Sequence, residues 1–275
     1  MVTSAPIQEV ASLWRDPELD DMEFLHGVYT RHAFAPHFHR TYVVEVVEQG
    51  VDVLQCDQAV HSAPAGSIII CNPFEVHTGR PGGSRPLEYR SFYPSVELWA
   101  GIVRRKCGRD AWPHFAQKVI HDPELFEALR SAHIAIERWG GASARAAVES
   151  ALAAAALRHG RLRPREQLRA AMRDEVRRLC DHIDRSHHDT VTLDCLTRIA
   201  NLSPFHLIRV FRRETGLTPH EYLVNIRVEH ARALLAAGRP IAEAARSAGF
   251  FDQSHLTRHF KRITGVTPGR YLRTA

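Results

Sequence analysis

The sequence predicts an α+β protein in which an N-terminal antiparallel β-barrel or sandwich is followed by helices and then by an all-α domain. Three observations predict this fold. Short apolar runs separated by turn residues fill the N-terminal third, helical periodicity begins at Val96, and a helical pattern is repeated after Glu166. The chain of 275 residues is long enough for two domains, each with its own core.

The strands are predicted from runs in which apolar residues alternate or cluster. Three such runs are Tyr42 to Val47, Val51 to Cys56 and Ser67 to Asn72, and glycine- and proline-containing turns separate them. Strands of this length, at roughly ten-residue spacing, are typical of a small barrel or sandwich. We therefore place a β-domain at residues 1–95.

Helices and a linker are predicted for residues 96–165. Helical periodicity spans Glu97 to Lys106, Pro123 to Trp139 and Ala144 to Arg158, and the GRLRPR stretch from Gly160 to Arg165 interrupts it. Apolar positions on these helices suit either a cover for the barrel or a dimer interface. We place the linker at the GRLRPR stretch, ahead of a helical domain at residues 166–275.

Composition excludes several classes of protein. Hydrophobic residues at 44% and charged residues at 24% match a globular protein and argue against wholesale disorder or a fibrous repeat. The longest apolar stretch is too short to cross a bilayer, and the N-terminus is acidic where a secretion signal would be basic and apolar, so we expect a cytoplasmic protein without membrane contact. The five cysteines match no zinc or disulfide pattern, which predicts reduced and mostly buried thiols.

The positive charge is concentrated in the C-terminal part. The whole chain has 36 Lys and Arg against 31 Asp and Glu, a net charge of +5. Residues 1–165 contribute 18 − 19 = −1 and residues 166–275 contribute 18 − 12 = +6. This distribution predicts an anionic partner for the last domain.

An internal repeat lies in this basic domain. A shift of 49 residues aligns His206 to Leu223 with His255 to Leu272, with 11 of 18 positions identical. In the first copy a short helix over Leu193 to Ala200 is followed by Asn201 and Leu202, by the N-cap Ser203, and by a helix ending before Gly216. Two similar helix-turn-helix units are thus predicted, at about residues 192–215 and 241–264.

The second helix of each unit has an apolar face and a basic face. Leu207, Val210 and Phe211 must point inward in the first unit, as Leu256, Phe260 and Ile263 must in the second. An arginine-rich face can simply be solvated, but two of them at a fixed spacing favour binding to successive major grooves of DNA. The outward residues suited to phosphate oxygens are Arg212, Arg213, Lys261 and Arg262.

Residues 190–273 resemble the DNA-binding domain of AraC/XylS-type transcription regulators. The resemblance rests on Leu196 to Leu235 and on Pro240 to Leu272, including Gly249-Phe250 and Thr267-Pro268. It implies that the helix from Val224 to Ala237 connects the two units and that an apolar contact with a thymine methyl replaces a hydrogen bond at Ile208. The base-reading residues it implies are Phe205, Ile208, Arg209, Gln253, Ser254, Thr257 and Arg258.

The N-terminal half is similar to a cupin barrel. His37 and His39 are expected on one face of a strand, and Glu45 lies on the same face if that strand is unbroken. His77 follows a Pro-x-Gly turn. In cupins two His and a Glu from one motif and a His from the other hold a metal. Here the spacing between His39 and Glu45 is longer than in cupins, and AraC-type regulators do not commonly use the metal. We therefore predict no metal or other cofactor and a pocket for a small-molecule effector. The candidate effector-binding residues are Arg31, His37, His39, Tyr42, Glu45, His77, Tyr89 and Tyr93.

The resemblance implies a ligand-responsive transcription factor that binds operator DNA and is not an enzyme. It also implies a homodimer with subunit contacts after the barrel, activation more often than repression, and RNA polymerase as a further partner. The alternatives are a metal-dependent cupin enzyme carrying an accessory DNA-binding domain and a repair methyltransferase. The second would need a zinc-binding cysteine cluster, which the scattered cysteines do not offer.

Overall fold

The structure is a computed structural model that describes residues 9–56, 59–164 and 173–273. It divides into two compact units. Unit 1 contains Met1–Ala33, Arg40–Phe74 and Gly79–Arg165, whereas unit 2 contains Glu166–Ala275 together with two short segments from the N-terminal half, Phe34–His39 and Glu75–Thr78.

Most of the strands belong to unit 1, the exception being β7, which lies in unit 2. Within the described residues, six strands form an antiparallel sheet in the order β1-β2-β8-β3-β6-β10, while β4 pairs with β5 and β11 pairs with β9. The strands in chain order are β1 Val10–Asp16, β2 Met22–Tyr29, β3 Val43–Gln49, β4 Val51–Cys56, β5 Ala59–Pro64, β6 Ile68–Cys71, β7 His77–Thr78, β8 Leu87–Tyr93, β9 Trp112–His114, β10 Val119–Ile120 and β11 Arg161–Arg163.

The central strands β3 and β8 present different chemistry on their two faces. Val44 lies opposite Phe92, and the next pair along the ladder, Glu45 opposite Ser91, must point to the other face because side chains alternate along a strand. Both apolar residues of the first pair are fully buried. One face therefore carries Val44 and Phe92, and the opposite face carries Glu45 and Ser91, which are also buried.

A glycine fixes the sharp turn between β3 and β4. Gly50 has φ +77°, in the left-handed region, and a Cβ at this position would lie 2.4 Å from the carbonyl oxygen of Pro86. Any other residue would be strained and would collide with the backbone, so the turn requires glycine.

Three helices complete unit 1: α1 Val96–Cys107, α2 Pro123–Arg138 and α3 Gly141–His159. α2 covers the apolar sheet face, where His133 lies edge-on to Phe92 with ring centroids 5.1 Å apart. The Glu48 carboxylate accepts a hydrogen bond from Arg130 at 2.7 Å and forms an ion pair with Arg90 at 3.2 Å. Burial, with the nearby Arg90, lowers the pKa of His133 to about 3, so this histidine is neutral where it packs. α2 thus acts as a cover for the sheet.

The sequence-based prediction missed three strands in this region. β9 and β10 follow α1, where only helices were expected, and β11 lies inside the GRLRPR stretch that was predicted to be the linker. Strands of two or three residues are too short to show alternation, which is why no pattern revealed them. Arg165, the last residue of that predicted linker, lies outside the described residues.

Unit 2 is helical, as predicted. Its helices are α4 Asp174–Ser186, α5 Leu193–Ala200, α6 Pro204–Thr215, α7 Pro219–Ala236, α8 Ile241–Ser247, α9 Gln253–Thr264 and α10 Pro268–Tyr271. The connector helix was expected to start at Val224. It starts about one and a half turns earlier, at Pro219. Thr218 directly precedes the helix and forms a capping box with Glu221 in its first turn.

The sequence repeat is also a repeat of hydrogen bonds. The hydroxyl of Thr215 donates to the carbonyl of Phe211 at 2.9 Å, and the hydroxyl of Thr264 donates to that of Phe260 at the same distance. Gly216 and Gly265 follow, with φ +80° and +75°. The two corners are therefore built in the same way, by a threonine that ends one helix and a glycine that turns the chain.

None of the described helices is both long and apolar enough to cross a membrane. Of the five cysteines, three are buried and two are half-buried, in line with the expectation that most are buried.

A matched pair of phenylalanines tests the core of unit 2. Phe260 is fully buried and Phe251 is 90% exposed. We expect Phe260→Ala to reduce the free energy of unfolding by about 3–5 kcal/mol and Phe251→Ala to change it by less than about 0.5 kcal/mol. Urea unfolding followed by far-UV circular dichroism measures both.

Tryptophan fluorescence in the same titration reports on unit 1 alone, because Trp14, Trp99, Trp112 and Trp139 all lie there. Equal losses of helical stability for the two variants would contradict the assignment of the core.

Candidate nucleic-acid interface and ligand-binding residues

The first helix-turn-helix unit consists of α5 and α6. Thr192 caps α5, and Asn201 turns the chain in the left-handed region with φ 52°. Ser203 then lies at the N-cap of α6, with Pro204 at the first position. These boundaries agree with those predicted from the sequence.

α6 buries one face and exposes the other. Leu207 and Phe211 are fully buried, whereas Phe205 is 77% exposed. Ile208 and Arg209 also lie on the exposed face. The first part of the helix therefore presents Arg209 with two apolar side chains to solvent, an arrangement suited to a guanine edge and thymine methyl groups.

The second unit consists of α8 and α9. Gly249 turns the chain with φ +83°, and the carboxylate of Asp252 caps α9 by accepting from the backbone N–H of His255 at 2.6 Å. Gln253, Ser254 and Arg258 are exposed on α9. Thr257 is half-buried, and its hydroxyl donates to the carbonyl of Gln253 at 2.8 Å. Its hydroxyl proton is thus committed to the helix, and the oxygen remains an acceptor.

The four residues expected at phosphate groups are also exposed: Arg212, Arg213, Lys261 and Arg262. Arg213 lies 3.3 Å from the carboxylate of Glu214, which Arg173 also approaches, at 3.4 Å. This surface pair is a weak interaction that an anion can replace.

Sequence reasoning missed Phe251 as a candidate contact. It is 90% exposed and directly precedes the N-cap of α9. Behind it, His259 stacks on Phe250 with ring centroids 6.1 Å apart, and burial lowers the pKa of His259 to about 4. In the sequence, no apolar residue lies three or four positions after Phe251, and this is a signal that its side chain is exposed.

In unit 1, the polar face of the sheet carries a pair of buried carboxyl groups. Glu45 on β3 lies near Asp52 on β4, and two buried carboxyl groups that interact favour holding one proton between them. Burial raises the pKa of Glu45 well above its usual range and that of Asp52 to about 6. Asp52 also accepts from the backbone N–H of Arg80 at 3.0 Å. Asp52 was not a candidate from the sequence.

Tyrosines accompany this carboxyl pair. Tyr89 stacks on Tyr29 with ring centroids 5.7 Å apart, and burial together with Tyr29 and Glu45 raises the pKa of Tyr89 well above its usual range. Tyr93 lies two residues further along β8, on the same face, and is half-buried. Glu45, Tyr89 and Tyr93 thus share one sheet face.

Two other candidates lie elsewhere in unit 1. The hydroxyl of Tyr42 donates to the carbonyl of Pro113 at 2.7 Å, and its ring lies edge-on to Trp99, so this residue belongs to the core under α1. Arg31 is exposed, and its backbone N–H donates to the Glu9 carboxylate at 2.7 Å.

The three histidine candidates form a cluster in unit 2, and Glu45 is not part of it. The expected common face required an unbroken strand from His37 to Glu45, but β3 begins only at Val43. His37 instead pairs with His77 in an isolated β-bridge. One ligand atom from each of His37, His39 and His77 lies within 4.8 Å of the other two. The four-residue arrangement considered from the sequence is therefore wrong.

All three histidines are buried. Burial lowers the pKa of His39 well below its usual value, and the neighbouring His37 and His77 lower it further. The ring centroids of His37 and His77 are 4.4 Å apart. Three imidazole rings thus meet in one buried place.

Comparison with known proteins identifies two domain families in the chain. Residues 21–160 match the family of AraC-like ligand binding domains, and residues 196–274 match a helix-turn-helix domain family. An uncharacterised HTH-type transcriptional regulator of Bacillus subtilis, YbfI, is 31% identical over 90% of this chain and 89% of its own length. The arabinose operon regulatory protein of Salmonella typhimurium is 28% identical over 77% of this chain and 76% of its own length.

Among solved structures, ToxT of Vibrio cholerae has the same fold. Its apo K231A variant gives a TM-score of 0.59 at 13% identity and covers 91% of this chain and 97% of its own. The predicted fold class, a cupin-like N-terminal domain followed by an all-α double helix-turn-helix domain, is confirmed. The chain belongs to the AraC family of DNA-binding transcriptional regulators and carries an AraC-like ligand-binding domain ahead of its helix-turn-helix domain.

Proposed function

We propose that this regulator reads its operator with the exposed faces of α6 and α9. The observation that carries the proposal is that both copies of the repeat bury the same apolar positions and expose a basic face. The two helices would enter successive major grooves, which lie roughly 34 Å apart. A single exposed basic helix would not support this proposal, but a duplicated one does.

The exposed side chains divide by chemistry. Arg209 and Arg258 would each form two hydrogen bonds with a guanine edge, and Gln253 would do the same with an adenine edge. Phe205 and Ile208 would contact thymine methyl groups. Ser254 would accept or donate a single hydrogen bond, and Thr257 would accept one. The residues proposed to bind phosphate, which set register without reading sequence, are Arg212, Arg213, Lys261 and Arg262.

For the effector, we propose a small polar molecule bound beside Glu45, Tyr89 and Tyr93. Two buried carboxyls that share a proton form a site where an ammonium or hydroxyl donor gains a charge-assisted hydrogen bond. The effector would change operator binding only if it bound one arrangement of the regulator more tightly than the other.

We also propose that the protein acts as a homodimer in the cytoplasm and activates transcription together with RNA polymerase. Trp139 and Leu157, at the ends of α2 and α3, are exposed apolar residues that support subunit contacts after the barrel. Activation is the more frequent outcome among regulators that resemble this chain. The similarity to a regulator over most of both chains supports a regulator rather than a cupin enzyme with an accessory domain.

Two arginine variants test the reading model. On an operator selected from random DNA, Arg258→Ala should lose about 1–3 kcal/mol for the preferred base at one position and relax the preference there. Arg213→Ala should weaken binding to all sequences and reduce the salt slope by about 1. Fluorescence anisotropy at several salt concentrations measures both effects.

The control is Arg138→Ala, since Arg138 is exposed in unit 1 and should leave operator affinity unchanged. Equal affinity of the unmodified protein for operator and random DNA would exclude specific recognition.

The effector site is tested by thermal shift. In a screen of the full chain against amino acids, sugars and aromatic acids, a true effector at 100 times its Kd should stabilise the protein by about 2.7 kcal/mol. Glu45→Gln should abolish this stabilisation, and Glu97→Gln, which alters an exposed carboxylate on α1, should preserve it. Retention of the full shift in Glu45→Gln would place the effector elsewhere.

The carboxyl pair also predicts a pH dependence. Because both pKa values are raised in the folded protein, the folded state holds protons that the unfolded chain has released near pH 4, and the resulting stability is lost as pH rises through about 6. Glu45→Gln needs no shared proton, so between pH 5 and pH 8 it should lose about 1–3 kcal/mol less stability than the unmodified protein. Urea titrations followed by tryptophan fluorescence test this, and parallel pH profiles of the two proteins would contradict it.

A further inference from the structure

The histidine cluster has the local geometry of a metal site. His37 and His77 pair through their backbones: the N–H of each donates to the carbonyl of the other, at 3.1 and 2.8 Å. This bridge holds the two segments of unit 2, Phe34–His39 and Glu75–Thr78, in fixed register. The position of both rings therefore follows from the backbone, before any ligand binds.

Hydrogen bonds set which nitrogen of each ring carries the proton. Nδ1 of His37 lies 2.8 Å from the carbonyl oxygen of Ala35, and Nδ1 of His77 lies 2.9 Å from that of Glu75. A carbonyl oxygen only accepts, so each Nδ1 is the protonated one and each Nε2 carries the lone pair. A donor bond from the other ring nitrogen to a backbone carbonyl is the usual support for a histidine that binds a metal.

His39 has a carboxylate nearby in place of a carbonyl. Its Nδ1 lies 3.9 Å from the Glu229 carboxylate and 3.4 Å from Arg232, which itself donates to that carboxylate at 2.6 Å. The Glu229–Arg232 pair has no net charge, so it adds little repulsion toward a cation. A guanidinium only donates, so Nδ1 of His39 accepts from Arg232 in this structure. Binding of a metal at Nε2 would replace this contact with a donor bond from Nδ1 to Glu229.

We propose that His37, His39 and His77 bind one divalent transition-metal ion, of which zinc is the simplest example. Neutral imidazole is a preferred ligand of zinc and of other late first-row metals, and three histidines leave further coordination positions for water or an external ligand. Zinc–nitrogen bonds of about 2.0–2.1 Å put the ligand atoms of a tetrahedral site about 3.3 Å apart. One ligand atom from each histidine lies within 4.8 Å of the other two, so binding would draw the three rings closer together.

This site would connect the two segments to the helix that joins the helix-turn-helix units. The backbone N–H of Phe38 donates to the Asn225 side chain on α7 at 3.3 Å, and the Phe38 ring packs on Tyr222 with centroids 5.1 Å apart. A metal that cross-links the segments would hold this packing more rigidly. The site is independent of the barrel effector proposed above, so neither proposal depends on the other.

The experiment uses the full chain after removal of bound metal with a chelator. Titration calorimetry with Zn²⁺ should give one site per chain, and Co²⁺ should give the visible absorption of a four- or five-coordinate site without thiolate-to-cobalt bands. His77→Ala and His37→Ala should each weaken Zn²⁺ binding more than tenfold. Glu229→Gln keeps all three ligands and should weaken it about tenfold, which tests the site even if an alanine variant unfolds.

Two histidine variants are the controls. His121→Ala removes an exposed imidazole, and His26→Ala removes the histidine of the other group that could hold a metal, formed with Glu48 and Glu88. Both should bind Zn²⁺ like the unmodified protein. Hydrogen exchange should slow on Zn²⁺ binding in residues 34–39 and 75–78. Absence of stoichiometric binding, or binding that persists when His37 and His77 are both alanine, would overturn the proposal.

Discussion

Complete burial of one face of α6 and of α9 is the constraint on which DNA recognition by this protein depends. A recognition helix must expose the residues that read bases, so only its opposite face can hold it to the domain. Leu207 and Phe211 on α6, and Leu256 and Phe260 on α9, are fully buried for this purpose. The threonine and glycine corners at Thr215–Gly216 and Thr264–Gly265 then set the direction in which the chain leaves each helix. The buried face and the corners therefore fix the orientation of the exposed face that we propose to read bases.

A different constraint governs unit 1, where alternation along β3 and β8 separates two kinds of chemistry. Apolar residues and the Arg90–Glu48 ion pair lie on the face covered by α2, and Glu45, Ser91 and Tyr89 lie on the other. The cover removes the apolar face from water and supplies stability. The polar face, with its shared proton, contributes less stability but offers groups that a ligand can engage. The proposed ligand site thus lies on the face of these strands opposite the one that α2 covers.

These two constraints explain how much could be predicted from the sequence. The boundaries of the first helix-turn-helix unit were predictable because Pro204 and Gly216 act locally, within a turn of the helix they begin or end. The Glu45–Asp52 pair was not, because it joins β3 and β4 through side chains that no motif links. Side-chain alternation along one strand predicted that His37 and His39 share a face with Glu45. This prediction failed because β3 begins after both histidines, at Val43. Assignment of the segments around His37 and His77 to unit 2 depends on tertiary packing, which periodicity does not encode.

The two buried polar groups would respond to different ligands for a physical reason. Glu45 and Asp52 remain buried by retaining a proton, so a ligand that replaces this proton must bring a hydrogen-bond donor or a positive charge. His37, His39 and His77 are buried rings of a type that suits a Lewis acid, and for His37 and His77 a backbone carbonyl fixes which nitrogen would bind it. A metal would gain little from the carboxyl pair without displacing its proton, and an organic cation would gain little from three rings that cannot carry a negative charge. One chain can therefore hold two buried sites that do not compete for the same ligand.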